Sequence, residues 1–249
     1  MNLQFRPPPH LNAIARSALE LVLPLTGFDG GSAQSPGLSG EAWRKIVFLA
    51  DPVCDGCSLP FEYDTGSRCG ACLSQPAAYH RARAACLYDD NSRDLILQLK
   101  HADRPELGRL FALWLKRAAV DLTQDCDAVV PVPLHRTRLF ARRYNQAAEI
   151  ARPLARLTGL TFLPDALVRS RDTGSQGGKS ASGRKRNVAG AFEVRRPAKV
   201  MGRRILLVDD VLTTGATAQG CARALLAAGA LAVDLAVVAR VREAPLRVI

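Results

Sequence analysis

Residues 203–229 read RRILLVDDVLTTGATAQGCARALLAAG, and the way this stretch is parsed decides the fold. Ile205, Leu206, Leu207 and Val208 make a short uninterrupted apolar run, the pattern of a central strand buried on both faces. The run stops at Asp209 and Asp210, two carboxylates that cannot be buried unpaired. Thr213, Thr214, Gly215, Ala216 and Thr217 come next, and residues 217–228 have helical spacing closed by Gly229 as a C-terminal cap. Carboxylates at a strand end can accept hydrogen bonds from vicinal hydroxyls, as on a ribose ring. Gly215 lets the backbone approach a ligand closely, and the open amides of the helix start, with the threonine hydroxyls, form an anion site. A plainer account of a bare strand–Asp-Asp–helix pattern is that Asp210 or Thr213 caps the helix and Gly215 makes the turn. The full order of apolar run, Asp-Asp, two residues and TTGAT is more specific than that pattern.

The same alternation extends in both directions. A strand is expected at 82–90, then a helix capped by Asn91 or Ser92 and running to about Lys100. Pro105 opens a helix at 106–119. DAVVPV at 127–132 reads as a buried strand. A helix at 144–157 is closed by Gly159, with Pro153 as a kink or early stop. Further strands are expected at 166–169, 190–194 and 231–240. Strands alternating with helices predict an α/β fold with a mostly parallel sheet and helices on both faces. Upstream, residues 11–25 read as an amphipathic helix with Leu11, Ile14, Ala18, Leu21 and Val22 on one face. Arg16 and Glu20 interrupt that segment too early for a signal sequence. Residues 27–40 have the Gly/Ser/Pro content of a linker. The expected organisation is an N-terminal helix and linker at 1–40, a cysteine module at 41–80 and the α/β domain at 81–249.

The composition is globular, with 48% hydrophobic and 23% charged residues, and no apolar run approaches the ~20 residues of a membrane span. A cytoplasmic protein is expected. The net charge of +11, from 34 Lys+Arg against 23 Asp+Glu, favours polyanionic partners such as phosphates or nucleic acid; an arginine-rich proteome accounts for it equally well.

Of the seven cysteines, four fall in the spacing Cys54-x2-Cys57-x11-Cys69-x2-Cys72. Each CxxC turn offers two thiolates to one ion, and two turns complete a tetrahedron for a structural Zn²⁺; a redox dithiol is the alternative. Phe61 and Tyr63 supply a small apolar patch to a module whose folding would draw on the metal. Cys86, Cys126 and Cys221 lie in apolar segments and read as core residues.

Two basic stretches complete the candidate pocket. VVPVPLHRTRLFARRYNQAAEIA at 129–151 has a strand, a basic turn and a helix, so that His135, Arg136, Arg138, Arg142 and Arg143 can meet a diphosphate. A solvated basic helix start is the competing account, although cations are disfavoured there in the absence of an anion. The Gly/Ser-rich stretch 170–192 carries Gln176, Lys179, Arg184, Lys185 and Arg186, which either close over phosphates as a lid or decorate a surface loop.

VDDVLTTGAT closely resembles the phosphoribosyl diphosphate (PRPP) motif of type I phosphoribosyltransferases. The resemblance implies that Asp209 and Asp210 are the catalytic pair on the ribose hydroxyls. By the same resemblance Thr213, Thr214, Gly215, Ala216 and Thr217 hold the 5′-phosphate, and Mg²⁺ travels with the diphosphate. The CxxC pairs, PVPLHRTRLFARRYNQA, the TGSQ…RKRNVAGAF segment and ILLVDDVLTTGATA also follow the order of the competence-protein ComF family, which the chain resembles over about four-fifths of its length. Two departures stand out: residues 1–53 lack the further CxxC pair common in that family, and Lys179 takes the place of an expected Leu. The family resemblance implies a role in DNA uptake and natural transformation, with single-stranded DNA and the uptake or helicase machinery as partners. A PRPP or nucleotide ligand is implied too, and a homo-oligomer stays open. An active phosphoribosyltransferase of nucleotide salvage and a non-catalytic nucleotide sensor are the alternatives, because no residue set that would read one nucleobase is evident.

Overall fold

The computed structural model describes residues 27–29, 37–61, 66–101, 104–170 and 190–242. The helix expected at 11–25, the lid residues Gln176, Lys179, Arg184, Lys185 and Arg186, and Tyr63 lie outside these. The chain forms two compact units, Met1–Lys45 and Ile46–Ile249. In the first, the Ser39 hydroxyl donates to Asp29 Oδ2 at 2.6 Å and its amide to Oδ1 at 2.8 Å, ahead of a short helix α1 (Gly40–Lys45). The cysteine segment and the sheet both belong to the second.

That second unit is built on five parallel strands: β1 (Ala82–Leu87), β2 (Ala128–Pro131), β3 (Thr161–Phe162), β6 (Arg204–Leu212) and β7 (Ala232–Arg240), in the order β1-β7-β6-β2-β3. A separate antiparallel pair, β4 (Leu167–Arg169) and β5 (Phe192–Val194), lies beside them. β6 is central, and Ile205 to Val208 are fully buried, as a run apolar on both faces requires. Ile205 and Leu207 pack with Cys221, Ala222 and Leu225 of α8 (Ala216–Ala227) and with Leu167 and Phe192 of the hairpin. The opposite face is covered by α4 (Leu107–Ala118) and α7 (Gln146–Thr158). Cys86, Cys126 and Cys221 are all buried.

A Cβ on Gly108 of α4 would lie 2.4 Å from the Glu149 carbonyl oxygen of α7, so only glycine permits these two helices their approach. Pro153 does not stop α7 early, since the helix runs on to Thr158. Having no N–H, Pro153 releases the carbonyl four residues back, which is the same Glu149 carbonyl that faces Gly108.

Several boundaries differ from expectation. The helix α3 (Asp90–His101) is capped by Asp89, whose side chain accepts from the Ser92 amide while Ser92 Oγ accepts from the Asp89 amide, both at 2.9 Å. An additional short helix, α5 (Val120–Asp125), precedes β2. The basic turn after β2 is itself a helix, α6 (Arg136–Arg142). β6 extends beyond its apolar run through Asp209 and Asp210 to Leu212, because β7 continues alongside and pairs Asp209 with Val237 and Leu212 with Arg240. Outside β1, residues 47–55 run along the edge of the sheet: Leu49 N donates to Ala85 O at 2.9 Å, Leu87 N to Val47 O at 2.9 Å and Ala82 N to Asp55 O at 2.7 Å. An edge that would invite another chain is thereby occupied.

Candidate functional site

The cysteine centre is assembled by two turns. Cys57 and Ser58 amides donate to the Cys54 carbonyl at 3.3 and 2.7 Å, and the Cys72 amide donates to Cys69 O at 3.0 Å at the start of α2 (Gly70–Ser74). Gly56 admits no side chain, since a Cβ would come 2.8 Å from Cys72 Sγ. The Cys69 amide donates to Cys54 Sγ at 3.2 Å, an orientation that stabilises a thiolate. The four sulfurs lie within 4.8 Å of one another, and Cys57 Sγ and Cys69 Sγ are 3.8 Å apart. With metal–sulfur bonds of about 2.3 Å, a tetrahedral site requires sulfur separations of about 3.8 Å. Geometry and donor set therefore fit one metal ion. Burial pushes the Cys57 thiol up to about 11, so thiolates here call for a cation.

The strand–turn–helix stretch places the second group of residues. Thr213 to Gly215 form the bend, and Gly215, at φ +75°, takes the left-handed conformation as N-cap of α8. Tyr79 Oη would lie 3.3 Å from a Cβ at that position, so the turn needs glycine on two counts. The amides of Ala216, Thr217 and Ala218 open α8, where no preceding turn supplies carbonyls to them. Together with Thr213, Thr214, Gly215, Asp209 and Val237 they line a pocket of about 40 Å³. A larger cavity of about 480 Å³ lies between the same turn and the cysteine centre, walled by Cys57, Cys72, Tyr79, Thr213, Gln219 and Arg240 among others.

Asp209 and Asp210 alternate across β6. Asp210 pairs with Lys100 of α3 at 3.0 Å. Asp209 follows Leu207 on the α8 side and accepts from the Asp210 amide at 2.9 Å. Burial, reinforced by the negative charge of Asp210, pushes the Asp209 carboxyl up to about 7 from its ordinary 3.8. The Asp210 amide, Lys100 and the buried Arg169 oppose this. Lys100 and Arg169 went unread in the sequence, since each stands in an ordinary helix or strand end. Arg169 lies over the Phe192 ring at 5.6 Å.

On the other side of the crevice, β2 leaves the sheet beside β6, with Val132 N donating to Val208 O at 2.9 Å. His135 is the N-cap of α6, its ring nitrogen accepting from the Thr137 amide. Arg136 and Arg138 occupy the first turn of α6. Arg142 falls in its last turn, where a cation complements the helix dipole without any ligand, and Arg143 adopts a left-handed conformation at the C-cap. The basic turn expected ahead of the helix at 144–157 is thus a helix of its own, with His135, Arg136 and Arg138 at its start and Arg142 and Arg143 at its end. Asn145 then caps α7 and donates to Val132 O at 3.0 Å, fastening that helix to the strand exit.

The strand order, with β2 and β7 flanking β6 and connections leaving in opposite directions, opens a crevice at the carboxyl ends of β2 and β6. Residues 145–248 match the family model described as phosphoribosyl transferase domain. Fold and site thus define a protein of the phosphoribosyltransferase-type α/β class. Among similar proteins is the DNA utilization protein YhgH of Escherichia coli (strain K12), 36% identical over 188 residues that cover 74% of this chain and 82% of that one. Competence protein F of Haemophilus influenzae is 30% identical over 187 residues, 73% of this chain and 80% of that one. The chain belongs to the competence-protein ComF family. A distant solved structure, the glutamine PRPP amidotransferase from B. subtilis, is 20% identical over 57% of this chain and 30% of that one, with a TM-score of 0.37. Among the described residues no helix is long and apolar enough to cross a membrane.

Proposed function

We propose that this protein binds a phosphoribosyl ligand, PRPP or a nucleotide, in the crevice above β6 and acts in the cytoplasm on single-stranded DNA during DNA uptake. The observation that carries the reading is the placement of Asp209 and Asp210 beside a left-handed glycine turn and the amide end of α8. The turn and the amides of 216–218 take the 5′-phosphate, and the two carboxylates take the ribose hydroxyls. His135, Arg136 and Arg138 serve the diphosphate, with Mg²⁺ held chiefly by the phosphate oxygens themselves. Zn²⁺ is the ion that suits the four thiolates, and its role is structural. The DNA part of the reading draws on the names of the relatives and on the net charge of +11.

The experiment is a thermal melt with PRPP and Mg²⁺. A ligand at about 100 times its Kd adds about 2.7 kcal/mol to the folded state, which wild type registers as a raised Tm. Asp209→Asn with Asp210→Asn removes the shift, and a shift that survives in the double variant overturns the assignment. For DNA, binding of a single-stranded oligonucleotide weakens steeply as salt rises, as phosphate-driven binding must. A flat salt response removes that part of the reading.

A second reading, turnover, starts from placement: Asp209 is buried at the strand end beside Asp210 and lines the pocket of the turn, and burial holds its carboxyl above the ordinary carboxylate range, so that it can accept a proton there. An acceptor amine would form a bond to C1 of the ribose as diphosphate leaves with the bonding pair. Screening bases and amines for diphosphate release separates this from binding alone.

A further inference from the structure

We propose that Arg240, the last residue of β7, is the positioning residue of the phosphate turn, and that through it the turn and the cysteine centre are coupled; the inference rests on the phosphate reading of residues 213–217. Arg240 is only 7% exposed. Its Nη1 donates to the carbonyls of Leu212 at 3.0 Å, Thr213 at 2.6 Å and Val241 at 2.7 Å, while its Nε donates to the carbonyl of Cys57 at 3.0 Å. One guanidinium thus holds both the turn and a metal-ligating residue that lies 183 positions before it in sequence.

The consequence for the turn follows from peptide geometry. In a planar trans peptide the C=O and N–H point in opposite directions. Drawing the Leu212 and Thr213 carbonyls onto Arg240 therefore turns the amides of Thr213 and Thr214 away from it, to the side where an anion is received. A cation on the carbonyl side also polarises both peptides, which strengthens their amides as donors. The charge acts without touching the ligand: it lies behind the turn, on the wall of the 480 Å³ cavity. The fourth bond sets the other end of the lever. Cys57 stands in the first CxxC turn, so a metal that fixes Cys54 and Cys57 also fixes the carbonyl that holds Arg240 Nε. Metal at one end and phosphate at the other then favour the same position of the guanidinium, and a coupling of this kind is reciprocal.

The test uses the full chain purified with its metal. Two quantities are read: the affinity for ribose 5-phosphate by calorimetry, and the rate at which a chromogenic chelator removes the metal, with and without saturating ribose 5-phosphate. In wild type the ligand slows metal removal by roughly 5- to 150-fold, the usual range of site-to-site coupling. Arg240→Gln and Arg240→Lys still bind metal, bind the ligand at least about tenfold more weakly, and lose the ligand-dependent slowing. Lysine keeps the charge but cannot reach the turn and Cys57 together. A residue with a merely structural role would lower the melting temperature and leave the slowing intact. If Gln fails to fold, the Lys variant carries the comparison. Variants that keep wild-type affinity and slowing overturn the coupling while the phosphate reading stands. Wild type that binds no ribose 5-phosphate overturns both.

Discussion

Two aspartates on neighbouring strands of the same sheet live in opposite circumstances. Asp234 of β7 is 1% exposed, yet Arg81 reaches it with its backbone amide at 3.0 Å and its guanidinium at 3.0 Å, and His80 and Arg204 lie at 3.6 and 3.9 Å. Three residues further along the β6–β7 ladder, Asp209 is opposed by a like charge, and its carboxyl is pushed up to about 7. At the amino end the fold supplies cations until the charge is compensated. At the carboxyl end it supplies fewer than the charge demands, so the remainder is left for hydroxyls, a cation or a proton to satisfy. A compensated buried charge is part of the scaffold, and an undercompensated one marks where a visitor belongs.

Removing the compensated side of the comparison has the largest effect. Asp234→Ala removes the one buried acid shared by Arg81 and Arg204 and leaves Arg81 only the more exposed Asp121 and Asp125, and denaturant titration should register a loss of about 3–5 kcal/mol. A loss below about 1 kcal/mol would mean that the amino-end network is no more than a solvated surface pair. The opposite substitution at the other end is mild. Between about pH 4 and about pH 7 the folded state holds a proton on Asp209 that the unfolded chain has released, so stability falls as pH rises through that window. Asp209→Asn removes this slope and leaves the protein no less stable than wild type at pH 8. Unfolding free energies at pH 5 and pH 8 measure it directly, and a wild-type slope retained in the variant would place the titration elsewhere.

The same contrast explains what could be read from sequence. The apolar run of β6 and the turn into α8 were legible because periodicity, glycine and threonine lie within a dozen residues. The cysteine centre was legible for a similar reason, as each CxxC turn is local. By contrast, the extension of β6 through Asp209 to Leu212 depends on β7, whose Val237, Ala239 and Arg240 supply the ladder. Arg240 itself looks in sequence like a charge that simply ends a strand. Its four carbonyl partners come together only through the fold. Lys100 reaches Asp210, and the charge of Arg169 acts on Asp209, from segments with no motif. In sequence the helix α6 reads as a turn because three arginines and a threonine obscure any apolar stripe, and Phe140 within it is 84% exposed.

The position of β1 carries a further lesson about assembly. Its partner on the inner side is β7, joined in the register Ala82 to Leu235 and Leu87 to Arg240, some 150 residues later in the chain. A polypeptide emerging from the ribosome therefore makes β1 long before it makes the strand that receives it. During that wait the preceding residues 47–55, already synthesised, are the nearest backbone available to occupy one flank of β1. Residues 47–55 need only local closure to reach β1, whereas its pairing with β7 spans most of the chain, and topology of this kind favours slow completion of the sheet.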